Sequence, residues 1–197
     1  MSITGSHDYS LRWAEKMNTE FVYKDIQETL VLARSCSEIW WLLEGTHTER
    51  ETIKESCNQY IEFFETVRPS MFITFVVLVS TLFDNGNDSI SLKKIPDIQN
   101  DSAFDDLWNR GRKLYKEYRS KCIAHRDVKN DIKNYAQETG FSYNNIREIL
   151  VDSIELYDRV AKEKGKVEVS DINIPSEKAF LNLMRRLTPK KAQQGGI

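Results

Sequence analysis

Tyr118-Arg119-Ser120-Lys121-Cys122-Ile123-Ala124-His125-Arg126-Asp127 is the stretch from which the rest of the chain is read. It closes a run in which Phe104, Leu107, Gly111, Leu114, Tyr118, Lys121 and His125 follow the three-four spacing of one helical stripe. Trp108, Tyr115 and Cys122 flank that stripe. It is apolar as far as Tyr118 and turns polar at Lys121 and His125. A helix face of this kind packs in a core at one end and meets a polar cleft at the other. Asp101 or Ser102 is expected to cap the helix. Asp105 and Asp106 in its first turn complement the helix dipole.

Outward from this helix, the same periodicity recurs three times. After an irregular stretch, 128–141, Ser142 caps a fourth helix from Tyr143 to about Lys164, ended by Gly165. Upstream, a helical pattern runs from Glu49 to Phe83, interrupted by Pro69. It is either one kinked helix or two consecutive ones. Its second half, from Phe72, is apolar nearly all round and should lie centrally in a bundle. The run from Met71 to Phe83 is shorter than the roughly 20 residues that a membrane span needs. Residues 84–100 read as a loop with one short segment, Ser89-Ile90-Ser91-Leu92. The first helix is amphipathic from about Met17 to Leu43, with Val22, Ile26, Leu30, Ala33 and Trp40 on one face. Gly45 would end it, and Thr46 or Thr48 would cap the next helix. The Trp40-Trp41 pair is expected in the core. Val167-Glu168-Val169 would be a short extended piece, and Ser176 precedes a last short amphipathic helix.

Helices in sequence joined mostly by short loops argue for an all-α, up-and-down bundle of four to five helices. The expected organisation is a flexible start at 1–16, a bundle at 17–165, an extension with a short helix at 166–187, and a disordered tail at 188–197. With 197 residues the chain is long enough to bury a core. Its formal net charge of -2 supplies no global field for nucleic acid or membrane, so any polyanion site must be local. Cys36, Cys57 and Cys122 are too few and too scattered for a disulfide scaffold or a structural zinc, and a reducing, cytoplasmic setting fits them. The N-terminal residues do not have the pattern of a signal peptide.

The chain carries no phosphate-cradling glycine loop, no His-Glu-x-x-His and no Gly-x-Ser-x-Gly. His7 and His47 stand isolated in segments expected to be exposed. His125 differs in its surroundings. From Arg110 to Lys133 there are nine basic residues against three acidic ones, Glu117, Asp127 and Asp131. A local basic strip is what phosphate contacts require. A solvated helix end that favours the C-terminal dipole would have the same composition. A histidine near neutral pKa can take or give the proton in ribose 2′-hydroxyl chemistry, and an arginine can stabilise phosphate charge at two points. Six residues of α-helix turn through about 240°, so Arg119 and His125 would not share a face. Lys121, four residues before His125, would share it.

Arg119-Ser120-Lys121-Cys122-Ile123-Ala124-His125-Arg126 resembles the motif of the HEPN superfamily: an arginine, four to six variable residues, then histidine, near the end of the third helix. The form running on to Asp127 resembles the branch linked to phage abortive infection, the AbiU-like proteins. Leu82-Phe83-Asp84 followed by Ser89-Ile90-Ser91-Leu92 is also similar to that branch. One departure is Ser120, where many members carry Asn or Asp. The resemblance covers residues 20–165 and leaves the segment after Lys166 outside. It implies metal-independent RNA cleavage with no cofactor. Arg119 and His125 would be the catalytic residues, with Ser120, Lys121, Arg126 and Asp127 in support. It also implies a homodimer in which two such helices meet, acting as a toxin or phage-defence effector without a membrane partner. The alternative is a non-catalytic helical interaction module, paired with a nucleotidyltransferase antitoxin as some members are.

Overall fold

The longest amphipathic pattern in the chain becomes its longest helix. The computed structural model describes residues 6–45, 49–124 and 141–188, with side chains within 19–45, 49–120 and 141–188. In it α1 spans Ser6–Glu44, beginning well before the expected Met17. No glycine or proline falls between those positions, and extending an existing helix is far easier than starting one. Its buried face is the expected one: Ile26, Leu30 and Ala33 are sealed from solvent. The tryptophan pair divides. Trp40 lies between Phe72 and Tyr143, at ring-centroid distances of 5.2 and 4.4 Å. Trp41, expected in the core, is 42% exposed and stacks on Tyr143 at 5.8 Å.

The break in the next helical region falls at Tyr60 and not at the proline. α2 covers Arg50–Gln59 and α3 covers Ile61–Thr81, with Pro69 inside α3. At the junction Tyr60 leaves helical geometry, and its N–H is shared between the carbonyls of Ser56 and Cys57. The cause is tertiary. The turn lets α2 direct Ile53, Ser56 and Cys57 at the C-terminal helix, where the Ser56 hydroxyl donates to the Met184 carbonyl at 2.8 Å. Around Pro69 the hydroxyls of Thr66 and Ser70 donate to carbonyls one turn back, those of Glu62 and Thr66.

Because α3 runs through its proline, it is longer than the apolar run read from sequence. By length and composition alone it is long and apolar enough to cross a membrane, with 21 residues and a mean hydropathy of 1.4. In this fold it lies along α1, and Phe75, Val76 and Val79 are completely buried.

Residues 92–99, expected as loop, form a 3₁₀ turn, Leu92–Lys94, and a four-residue helix α4, Pro96–Gln99. The turns exist because three apolar side chains must point inward: Leu92, Ile95 and Ile98 are fully buried. Asp101 holds the next turn by accepting the Ala103 N–H at 2.9 Å. α5 then runs Phe104–Lys113. Gly111 is there because the Phe83 ring lies on it; a Cβ at this position would stand 2.2 Å from the ring. α6, Tyr143–Glu163, starts at the expected cap, where Ser142 and Asn145 form a reciprocal capping box. It ends at Gly165, whose φ of 64° suits glycine.

Residues 167–169 form no strand. Val169 is instead buried, and the Asp158 carboxylate accepts the backbone N–H groups of Val169 and Ser170. α7, Ser176–Leu187, closes a second apolar cluster in which Met184 meets Leu42, Leu43, Ile53, Cys57 and Phe64. Thus the described residues form an all-α bundle without a strand, as expected. The irregular stretch 128–140, the caps Thr46 and Thr48, and the tail from 189 fall outside the described residues.

Candidate functional site

The third long helix changes character at Leu114. From Leu114 to Ala124 it is a π-helix, in which each N–H reaches five residues back. Such segments are short insertions in most proteins and often occur at functional sites. The inward stripe persists into it. Leu114 is fully buried, and Tyr118, 1% exposed, meets Phe72 and Phe141 edge-on at 6.4 Å each. The wider turn alters the geometry expected of an α-helix. Residues five apart now lie above one another, so the 240° estimate does not apply across 114–124.

Arg119 is half-buried on this segment. Its guanidinium carbon lies 4.8 Å from the centroid of the Tyr115 ring. Among the described residues no carboxylate pairs with it. Arg112 approaches the same ring at 5.1 Å and donates through Nη1 to the Phe83 carbonyl at 3.0 Å. The Tyr115 hydroxyl donates to Asp84 Oδ2 at 3.1 Å, and Asp84 Oδ1 accepts the Gly86 N–H at 2.9 Å. Ser120 turns back along the helix, its hydroxyl donating to the Tyr115 carbonyl at 3.0 Å. Its polar group is therefore used on the backbone of the π-turn. Lys121 follows on the same segment, and its side chain lies outside the described set. His125, Arg126 and Asp127 also lie outside the described residues.

Of the named site residues, the structure thus describes Arg119 and Ser120 in full. It joins to the site three residues to which sequence reasoning gave no role there: Tyr115, Asp84 and Arg112. Tyr115 had a local signal, since it precedes Arg119 by four residues and such neighbours meet on a helix. Asp84 stood in a turn and in the Leu82-Phe83-Asp84 stretch of the family resemblance, but nothing local ties that turn to a helix some thirty residues on. Two clefts, of 430 and 770 Å³, lie elsewhere, between α1 and α6. They are lined by charges of both signs, including Glu38 and Arg147.

Fold and site together define an all-α bundle with a basic, polar end on its third long helix. The chain belongs to the HEPN family described as AbiU2, which matches residues 20–165. Comparison with curated proteins gives no match, and neither does comparison with solved structures.

Proposed function

We propose that this chain is a metal-independent endoribonuclease of HEPN type, acting in the cytoplasm as a toxin or phage-defence effector. The observation that carries the reading is the state of Arg119. It lies over the Tyr115 ring, and among the described residues no carboxylate engages its donors. A guanidinium in that state can bind a phosphate at two points. Family membership supports the same chemistry. In the proposed reaction His125 takes the proton from a ribose 2′-hydroxyl. The 2′-oxygen bonds to the adjacent phosphorus and the bond to the 5′-oxygen breaks. The proton taken by His125 is returned to the leaving 5′-oxygen, and the products end in a 2′,3′-cyclic phosphate and a 5′-hydroxyl. Arg119 stabilises charge on the phosphate, Lys121 adds a phosphate contact, and Arg126 and Asp127 orient the histidine. Two copies of the chain bring their third helices together, and an antitoxin or nucleotidyltransferase partner restrains the activity.

The test is cleavage of single-stranded RNA by the purified protein in EDTA. Cleavage that persists and leaves cyclic phosphate ends is expected. His125→Ala should lower the rate by about 10²–10⁴-fold, the usual contribution of a positioned acid–base group. Sedimentation at micromolar concentration should give a dimer. Loss of cleavage on chelation, or a His125→Ala protein that cuts like the parent, defeats the mechanism and favours a non-catalytic interaction module.

A further inference from the structure

An arginine that must bind phosphate has two requirements that oppose each other. It must be held still, and its N–H edge must stay unused. A carboxylate partner meets the first and defeats the second. Arg110, in the α-helical half of the same helix, shows the conflict: Asp106 and Asp152 take its donors at 2.8 and 2.6 Å. An aromatic face meets both requirements, because it attracts the guanidinium through its π-surface and leaves the edge donors free.

We infer that Tyr115, anchored through its hydroxyl by Asp84, is the positioning residue that holds the Arg119 guanidinium ready for the scissile phosphate. This rests on the ribonuclease reading given above and deepens it. Tyr115 is itself held at two points on its ring and one on its backbone. Its hydroxyl is held by Asp84, which is in turn held by the Gly86 N–H. Arg112 lies against the ring while tied to the Phe83 carbonyl. The Tyr115 carbonyl receives the Ser120 hydroxyl, which couples the ring's residue to the one that follows Arg119. The Asp84 charge is engaged at the phenol end of the ring and not at the donors of Arg119. The turn 84–86 thereby becomes part of the site, although it is distant in sequence and makes no phosphate contact of its own.

The test uses the full chain and steady-state cleavage of single-stranded RNA. Tyr115→Leu removes the π-face and should lower kcat about 10–100-fold with KM nearly unchanged, the scale expected when a reacting group is misplaced. Tyr115→Phe keeps the face and loses the anchor, and should fall between the parent and Tyr115→Leu. Asp84→Ala should resemble Tyr115→Phe, and the two changes combined should cost no more than either alone. The decisive arm is the Arg119→Lys background, in which Tyr115→Leu should cost nothing further, because the residue acts through the guanidinium. Thermal melts identify any variant that loses rate through unfolding, and Tyr115→Phe guards against that outcome. The Arg119 Nε–H resonance should also carry a ring-current shift that disappears in Tyr115→Leu. A parent that cuts RNA while Tyr115→Leu cuts equally well overturns this inference alone. So does a loss in Tyr115→Leu that multiplies fully with Arg119→Lys. A parent that cuts no RNA overturns the ribonuclease reading, and the positioning role of Tyr115 with it.

Discussion

The two halves of the third long helix each carry three basic residues and put an arginine to opposite use. In Phe104–Lys113 the backbone is α-helical, the core contact is close enough to demand Gly111, and Arg110 is neutralised by two carboxylates. In Leu114–Ala124 the backbone is π-helical, and Arg119 is held by an aromatic ring while its donors meet no carboxylate among the described residues. The difference teaches that a basic residue's role depends on what holds it more than on its charge. The first arginine is part of the scaffold, and the second is presented.

Substitutions can break or sharpen that contrast. The largest effect is expected at the joint. Leu114→Ala empties a fully buried position and should cost about 2–5 kcal/mol of stability, read from denaturant unfolding. Gly111→Ala comes next. The added methyl meets the Phe83 ring, so overpacking of about 1–3 kcal/mol should exceed the roughly 1 kcal/mol that alanine returns in helix propensity. A Gly111→Ala protein that melts at or above the parent's temperature would show that the turn carrying Phe83 is not in close contact with the helix.

Alkaline pH attacks the scaffold at a buried tyrosine pair. Burial, reinforced by the Asp97 carboxylate, pushes the Tyr23 hydroxyl up from 10.0 to about 12. Burial, then the neighbouring Tyr23, raises Tyr157 as well. Both folded values lie above the unfolded one. Stability is therefore fully present below about pH 10 and is lost as pH rises through the folded values. Deprotonation of Tyr23 and Tyr157, followed residue by residue by NMR, should coincide with the loss of helical circular dichroism, and their deprotonation while the helices persist would contradict the packing of this pair. The smallest effect belongs to Arg110→Ala. Its carboxylate pairs are substantially exposed, so the loss should stay within about 1 kcal/mol.

Much of this was legible in the chain. The stripe Phe104, Leu107, Leu114 and Tyr118 is buried as its spacing implied, and Ser142 caps α6 as expected. Periodicity reports such faces directly. What it missed were tertiary decisions. The break at Tyr60 serves the contact between α2 and α7, and no local residue marks it. The turns at 92–99 are helical because the core lacks three apolar side chains without them. The π-helix has no compositional signature, since its residues fit an α-helix equally well. At the site, the arginine was legible as a motif residue. Its support from Tyr115 and Asp84 was not, because Asp84 reaches the helix only through the folded chain.

The most direct test exchanges the two arginines for lysine one at a time, in single-turnover RNA cleavage with parallel thermal melts. The account predicts that Arg119→Lys loses most of its cleavage at an unchanged melting temperature, since lysine cannot make the planar two-point contact. It predicts that Arg110→Lys cuts like the parent. An Arg119→Lys protein that cuts normally, or an Arg110→Lys protein that is as impaired as Arg119→Lys while still folded, would contradict it.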